Sequence, residues 1–172
     1  MRKDSAAGIT VHAYPSTQAA LKASLEQAGI QLNDYARILM DRCVFEQVEE
    51  TTVWLAFLSV HSLGFREKPT LKEVLARGVE QGLALCPPEL GPYTRLSYTE
   101  QAMSANTDLS GQKTNPDGAV NLASPLLPGN DELPKGFYLR HVGSELWLRG
   151  YVCDDLYRFD QDAVFAFVEQ RA

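Results

Sequence analysis

A predicted β-hairpin near the C-terminus constrains the fold more than any other stretch of this sequence. The runs 137–142 and 145–151 flank Gly143-Ser144, a dipeptide suited to a two-residue type II′ turn. That turn fixes the register, and side chains then alternate between the two faces of the hairpin. One face is apolar and is predicted to lie against the core; it carries Phe137, Leu139, Leu146 and Leu148.

The other face of the hairpin alternates aromatic side chains with arginines. Rings beside guanidinium groups can hold a base, a planar anion or the acidic segment of a partner, so we predict a ligand- or partner-binding site here. One structural alternative is a cross-strand cation–π pair between Arg140 and Trp147, worth about 0.5–1 kcal/mol. Another is that a helix covers this face. The members of this aromatic–arginine face are Tyr138, Arg140, Trp147, Arg149 and Tyr151.

A capping box gives the clearest helix signal. Thr70 and Glu73 have the spacing at which each side chain caps the other's backbone, and the helix that follows ends near Gly82. Gly78 lies inside this helix, where glycine costs about 1 kcal/mol relative to alanine. A closely packed neighbour is the predicted reason for that glycine.

Patterning predicts the remaining elements upstream of the long loop. Residues 9–14 form an edge strand, and Ser16 caps a helix that runs to Ala28. A second helix runs from Asn33 to Cys43, and 53–60 is a strand buried on both faces. The apolar stripe predicted for the second helix comprises Tyr35, Ile38, Leu39 and Cys43.

Proline positions and composition predict the elements of the second half of the chain. The proline-rich segment 85–92 predicts a rigid turn that leads into a strand at 93–98. Residues 99–135 are rich in Ser, Asn, Asp, Gly and Pro and predict a long, mobile or partly ordered loop. The segment 163–168 predicts a last strand, with a short helix as the alternative. Together these elements predict a single α+β domain over 1–172, with a mainly antiparallel sheet, about three helices on one face and a C-terminal β-hairpin.

Charge and composition limit the partners. The chain of 172 residues carries a net charge of −6, which makes duplex DNA an unlikely ligand because phosphate binding usually needs a basic field. No apolar run reaches the roughly 18 residues that span a bilayer, and the N-terminus lacks the apolar region of a secretory signal. The three cysteines have no paired spacing, as in free thiols of a reducing compartment. We therefore expect a soluble, acidic, cytoplasmic protein that does not enter a membrane.

No residue set requires a particular chemistry. The three histidines have no ligand spacing with one another or with cysteine, so neither a metal nor a cofactor is predicted. The acidic cluster at 154–162 lacks the spacing of a calcium loop and predicts turn and cap residues. Whether the chain is catalytic, and its oligomeric state, are left open by the sequence.

Two functional hypotheses follow. The first is a non-catalytic binding or accessory protein that acts through a macromolecular partner, for example an immunity-type protein that neutralises a basic toxin. The second is a small enzyme with its active site under the 99–135 loop, because long loops often form lids. Its predicted participants are His61, Arg95 and Cys86.

Overall fold

The computed structural model describes residues 7–105, 118–126 and 132–170, and these ranges contain four helices and seven strands. The helices are α1 (Gln18–Gln27), α2 (Asp34–Arg42), α3 (Leu71–Glu80) and α4 (Leu90–Ser97). The strands are β1 (Gly8–Ala13), β2 (Gln31–Leu32), β3 (Thr51–Ser59), β4 (Val120–Leu122), β5 (Gly136–Val142), β6 (Glu145–Tyr151) and β7 (Val164–Glu169).

All seven strands join one mixed sheet in the order β1-β3-β7-β4-β5-β6-β2. The sheet curls into a half-barrel. Strands β4 and β7 pair in parallel, as do β2 and β6, while the other pairings are antiparallel. The α+β class is confirmed, but the mainly antiparallel sheet is a simplification. Local patterning does not reveal parallel pairs, because they join strands that are distant in the chain.

The C-terminal hairpin has the predicted register. Leu139 pairs with Leu148 and Arg140 with Trp147. Gly143 has a φ of 58°, the positive value that the first central position of a primed turn requires. Phe137, Leu139 and Leu148 are fully buried, so the predicted core face is confirmed.

Three helices pack on one face of the sheet, as expected in number, but one of them, α4, was not predicted as a helix, and α3 packs on the other face. Helices α1, α2 and α4 contribute to the core cluster that contains Leu139 and Leu148 of the hairpin. Helix α3 contributes to a second cluster on the opposite face, where Gly78 lies against the ring of Phe167. That contact confirms the closely packed neighbour predicted for Gly78. Packing on both faces also explains why β3 and β7 are apolar along their length.

Of the three predicted helix caps, the structure corrects one and confirms two. The cap of α1 is Thr17 and not Ser16, because the Thr17 hydroxyl accepts from the backbone N–H of Ala20 at 3.1 Å. Asn33 caps α2 as predicted, and its side-chain oxygen accepts from Ala36 N at 2.8 Å. The capping box of α3 is also present.

The buried stripe of α2 is rotated relative to the predicted one. Tyr35 and Ile38 are exposed, whereas Ala36 and Met40 are fully buried beside Leu39. The backbone of Tyr35 and Ala36 lies so close to Gly150 on β6 that a side chain there would clash. The approach of β6 therefore selects which side of α2 faces inward.

Residues 93–98 form most of helix α4, so the predicted strand there was wrong. Pro92 lies in the first turn of α4, where a missing N–H costs no intrahelical hydrogen bond. Gly91 allows the helix to approach the ring of Phe137 on β5. The tertiary contacts of this helix override the β-propensity of its tyrosine and threonine.

Part of the predicted 99–135 loop is ordered. Strand β4 lies within it and joins β5 to β7. Gln101 and Ser104 are buried, and Ser104 N donates to the carbonyl of His141 at 2.7 Å, so this stretch runs along β5. Residues 106–117 and 127–131 of the predicted loop lie outside the described residues. Within the described ranges, no helix has the length and hydropathy needed to cross a bilayer.

Candidate functional site

The aromatic–arginine face is assembled on β5 and β6 in the predicted register. Arg149 is the stacked cation: its guanidinium lies 5.0 Å from the ring centroid of Trp147 and 5.8 Å from that of Tyr138. Its Nε also donates to the Tyr138 hydroxyl at 2.7 Å. The cation over the Trp147 ring is therefore Arg149, two residues along the same strand, and not the cross-strand neighbour Arg140. Arg149 also lies over the ring of its own cross-strand neighbour, Tyr138.

Burial limits what the aromatic–arginine face can contact. Arg140 is 1% exposed, Arg149 8% and Tyr138 9%, while Trp147 and Tyr151 are half-buried. Burial also raises the pKa of Tyr151 well above its usual range, so its hydroxyl stays protonated. The face is not a flat exposed surface, and its role in binding stays a prediction.

The structure does not bring together the three residues predicted to take part in catalysis. His61 is exposed in the turn after β3. Cys86 is fully buried, and its thiol donates to the carbonyl of Ala166 on β7 at 3.2 Å. Arg95 is fully buried under β5 and β6. None of the three lines the large groove described below.

Arg95 is held by backbone and amide oxygens. Its Nη1 donates to Gln101 Oε1 at 2.7 Å, to the carbonyl of Trp147 at 3.2 Å and to that of Arg140 at 3.4 Å. Its Nη2 donates to the carbonyl of Tyr98. Burial lowers the pKa of Arg95 to about 10, and within the described residues no carboxylate pairs with it. Arg95 therefore ties α4 and the segment after it to the hairpin.

Burial raises the pKa of Cys86 to about 12, so its thiol is a poor nucleophile at neutral pH. This shift predicts alkaline destabilisation. Above pH 9 the unfolded chain loses the thiol proton while the folded chain keeps it, so the free energy of unfolding falls as pH rises. Cys86 should contribute about 1 kcal/mol to that fall between pH 9 and pH 10, where the unfolded thiol is still titrating, and urea titrations over this range would measure it. Cys86→Ala should therefore make the slope shallower.

A suitable control for this titration is Thr94→Ala, which also removes a fully buried polar side chain but no titrating group. Thr94→Ala should lower stability at every pH and leave the slope unchanged. Equal slopes in the native protein and in Cys86→Ala would contradict the assignment of the alkaline effect to this thiol.

One histidine and part of the acidic cluster have structural partners. His141 Nδ1 donates to the carbonyl of Gln101 at 2.6 Å. Asp154 Oδ1 accepts from two backbone N–H groups of its own turn, and Asp160 pairs with Lys68 at 2.6 Å. Turn residues were predicted for this cluster, and Asp154 confirms the prediction. Within the described ranges, no group of three or more acidic, histidine or cysteine side chains could hold a metal ion.

A groove of about 600 Å³ opens where β3 begins and β7 ends. It lies between the α2–β3 connection on one side and the start of α4 on the other, and we call it the β3 groove. This volume is in the range of ligand-binding clefts. The lining residues are Val44, Phe45, Glu46, Gln47, Thr51, Val53, Leu85, Pro87, Glu89, Leu90, Tyr93 and Val168.

The rim formed by 44–50 carries exposed valines among glutamates and has free backbone groups. Val44 is 63% exposed, and Val48, four residues on, is 85% exposed. Among the described residues, no hydrogen bond involves the backbone of Val44, Phe45 or Glu46. The side chain of Gln47 donates to the carbonyl of Glu49 at 2.6 Å and so bridges this segment to the start of β3.

The charged groups of the β3 groove are all acidic. Glu46 is exposed on the rim and Glu89 is half-buried at the start of α4. The carboxylate of Glu89 and burial together raise the pKa of the neighbouring Cys43 to about 12, with burial as the larger cause. Within the described residues, neither glutamate forms an ion pair.

Sequence reasoning missed the β3 groove. The available signal was the run from Val44 to Glu50, in which two valines and a phenylalanine stand among three glutamates without the period of a helix or strand. The opposite wall comes from the proline-rich segment, which was interpreted only as a turn.

The chain matches no family model, no curated protein and no solved structure.

Proposed function

We propose that this protein is a non-catalytic binding or accessory protein that holds a segment of a partner protein in the β3 groove. The observation that carries the proposal is an apolar floor beside a rim segment, 44–50, that carries two exposed valines and three glutamates. Val53, Leu90 and Val168 line the floor, so an occupant that covers it would gain the free energy of apolar burial. An exposed apolar patch rimmed by polar residues is typical of a protein-interaction site.

The free backbone groups of the rim favour an extended peptide as the occupant. Three consecutive residues, Val44 to Glu46, have N–H and C=O groups that no described residue satisfies. An extended segment can pair with such groups while its side chains enter the groove. The alternative function, an enzyme with its site under the 99–135 loop, remains a hypothesis with less support, because His61, Arg95 and Cys86 share no cavity in the described structure.

A matched pair of variants tests the proposal. Thr51 and Thr52 are exposed neighbours on β3, and only Thr51 lines the β3 groove. A photo-crosslinking amino acid at Val44 should capture one discrete partner in cells of the native host. Thr51→Trp, which fills the groove, should reduce the crosslink at least tenfold, whereas Thr52→Trp should leave it unchanged.

The position of the crosslinker provides a second control. Val79 on α3 is 52% exposed and lies outside the β3 groove, so a crosslinker there should not capture the same partner. Equal capture by Thr51→Trp and Thr52→Trp, or equal capture from Val79, would exclude the groove as the binding site.

A further inference from the structure

We infer that the segment bound by the β3 groove is cationic, with at least one lysine or arginine beside apolar residues. This inference rests on the proposed function and adds the chemistry of the partner. Two carboxylates, Glu46 and Glu89, line the groove, and none of its lining residues is a lysine, an arginine or a histidine.

The two carboxylates are available to a ligand. Within the described residues neither takes part in an ion pair, although six ion pairs occur elsewhere in those ranges. Glu89 is half-buried at the start of α4. Burial is the main cause that raises the pKa of the nearby Cys43 thiol, and the charge of Glu89 adds to it. A bound cation would be screened by water less at Glu89 than at an open surface.

Acidic residues near the β3 groove add to the negative charge of its two glutamates. Glu49 and Glu50 follow Glu46 in the same rim segment, and the whole chain carries a net charge of −6. An acidic field of this kind speeds the approach of a basic partner and repels an acidic one. Lysine and arginine also have apolar stems that can lie along Val53 and Leu90 while the cation reaches a carboxylate.

A peptide selection tests the inference. A phage-displayed library of random peptides of about 12 residues would be selected on the full chain, and the affinity of selected peptides measured by calorimetry. We expect enrichment of lysine or arginine next to apolar residues. Affinity should fall on the order of tenfold in the double variant Glu46→Gln/Glu89→Gln and with rising salt. Glu145→Gln, which changes an exposed glutamate outside the groove, should not alter it.

The outcomes separate the two proposals. Some selected peptides should lose binding to Thr51→Trp. If those peptides are neutral, or if they bind the double glutamine variant as tightly as the native chain, the cationic inference is overturned and the proposed function stands. Peptides that bind Thr51→Trp as tightly as the native chain, or a library that yields no binder, would overturn both. Arginine amide that binds as tightly as the peptides would identify a small cation as the ligand and overturn the peptide proposal.

Discussion

Gly78→Ala is expected to destabilise the protein by about 2 kcal/mol, although alanine normally stabilises a helix interior by about 1 kcal/mol relative to glycine. A Cβ at this position would lie 2.1 Å from Cε1 of Phe167, well inside van der Waals contact. Phe167 is fully buried in β7, so its ring has no free space into which to move. Urea denaturation at neutral pH would measure the loss.

Two further variants isolate the steric cause. Gly82→Ala places a methyl in open space at a φ of 86°, so it should cost only about 1 kcal/mol of backbone strain. Phe167→Leu should partly rescue Gly78→Ala, and a double-mutant cycle should give a favourable coupling of about 1 kcal/mol or more. A cycle without coupling would show that another contact explains Gly78.

Arg95→Met is expected to cost about 3 kcal/mol or more of unfolding free energy. It removes charge-assisted hydrogen bonds and leaves the buried carbonyls of Tyr98, Arg140 and Trp147 without this donor. Because Gln101 also loses its contact, amide hydrogen exchange should accelerate along 98–104. Chemical denaturation and exchange measured by mass spectrometry would follow the two effects.

The arginine prediction has a matched control and a clear contrary result. Arg37→Met removes an exposed arginine whose ion pair with Asp34 lies on the surface, so it should change stability by less than about 0.5 kcal/mol. Arg95→Lys should also be destabilising, because one ammonium cannot reach all the acceptors of a guanidinium fork. If Arg95→Met were as stable as the native protein, the cost of burying the charge would equal the gain from its hydrogen bonds.

Local signals predicted the hairpin and the capping box well. Both depend on residues a few positions apart: Gly143 at a turn, side chains of period two on the strands, and Thr70 with Glu73 at a helix start. In these stretches the tertiary fold agrees with the local preference. The interior Gly78 was also informative, because a glycine inside a good helix pattern implies a neighbour that needs the space.

The same reasoning failed for α4 because distant contacts decide its structure. Tyr93 and Thr94 favour a strand locally, yet the helix lets Gly91 pack on Phe137 and lets Arg95 reach the carbonyl of Trp147. Those partners lie more than forty residues away in the chain. A window of neighbouring residues contains no information about such contacts.

For the candidate sites as well, local sequence predicted some features and distant contacts decided others. Alternation along β5 and β6 was enough to name the aromatic–arginine face, but the burial of Arg140 and Arg149 depends on the rest of the fold. The β3 groove needs the α2–β3 connection, the proline-rich segment and Val168 of β7 in one place. By itself the sequence determined the hairpin register, the caps of α2 and α3 and the α+β class, since these follow from interactions between near neighbours. Tertiary structure alone decided which faces are covered and where a groove opens, because both depend on how distant segments pack.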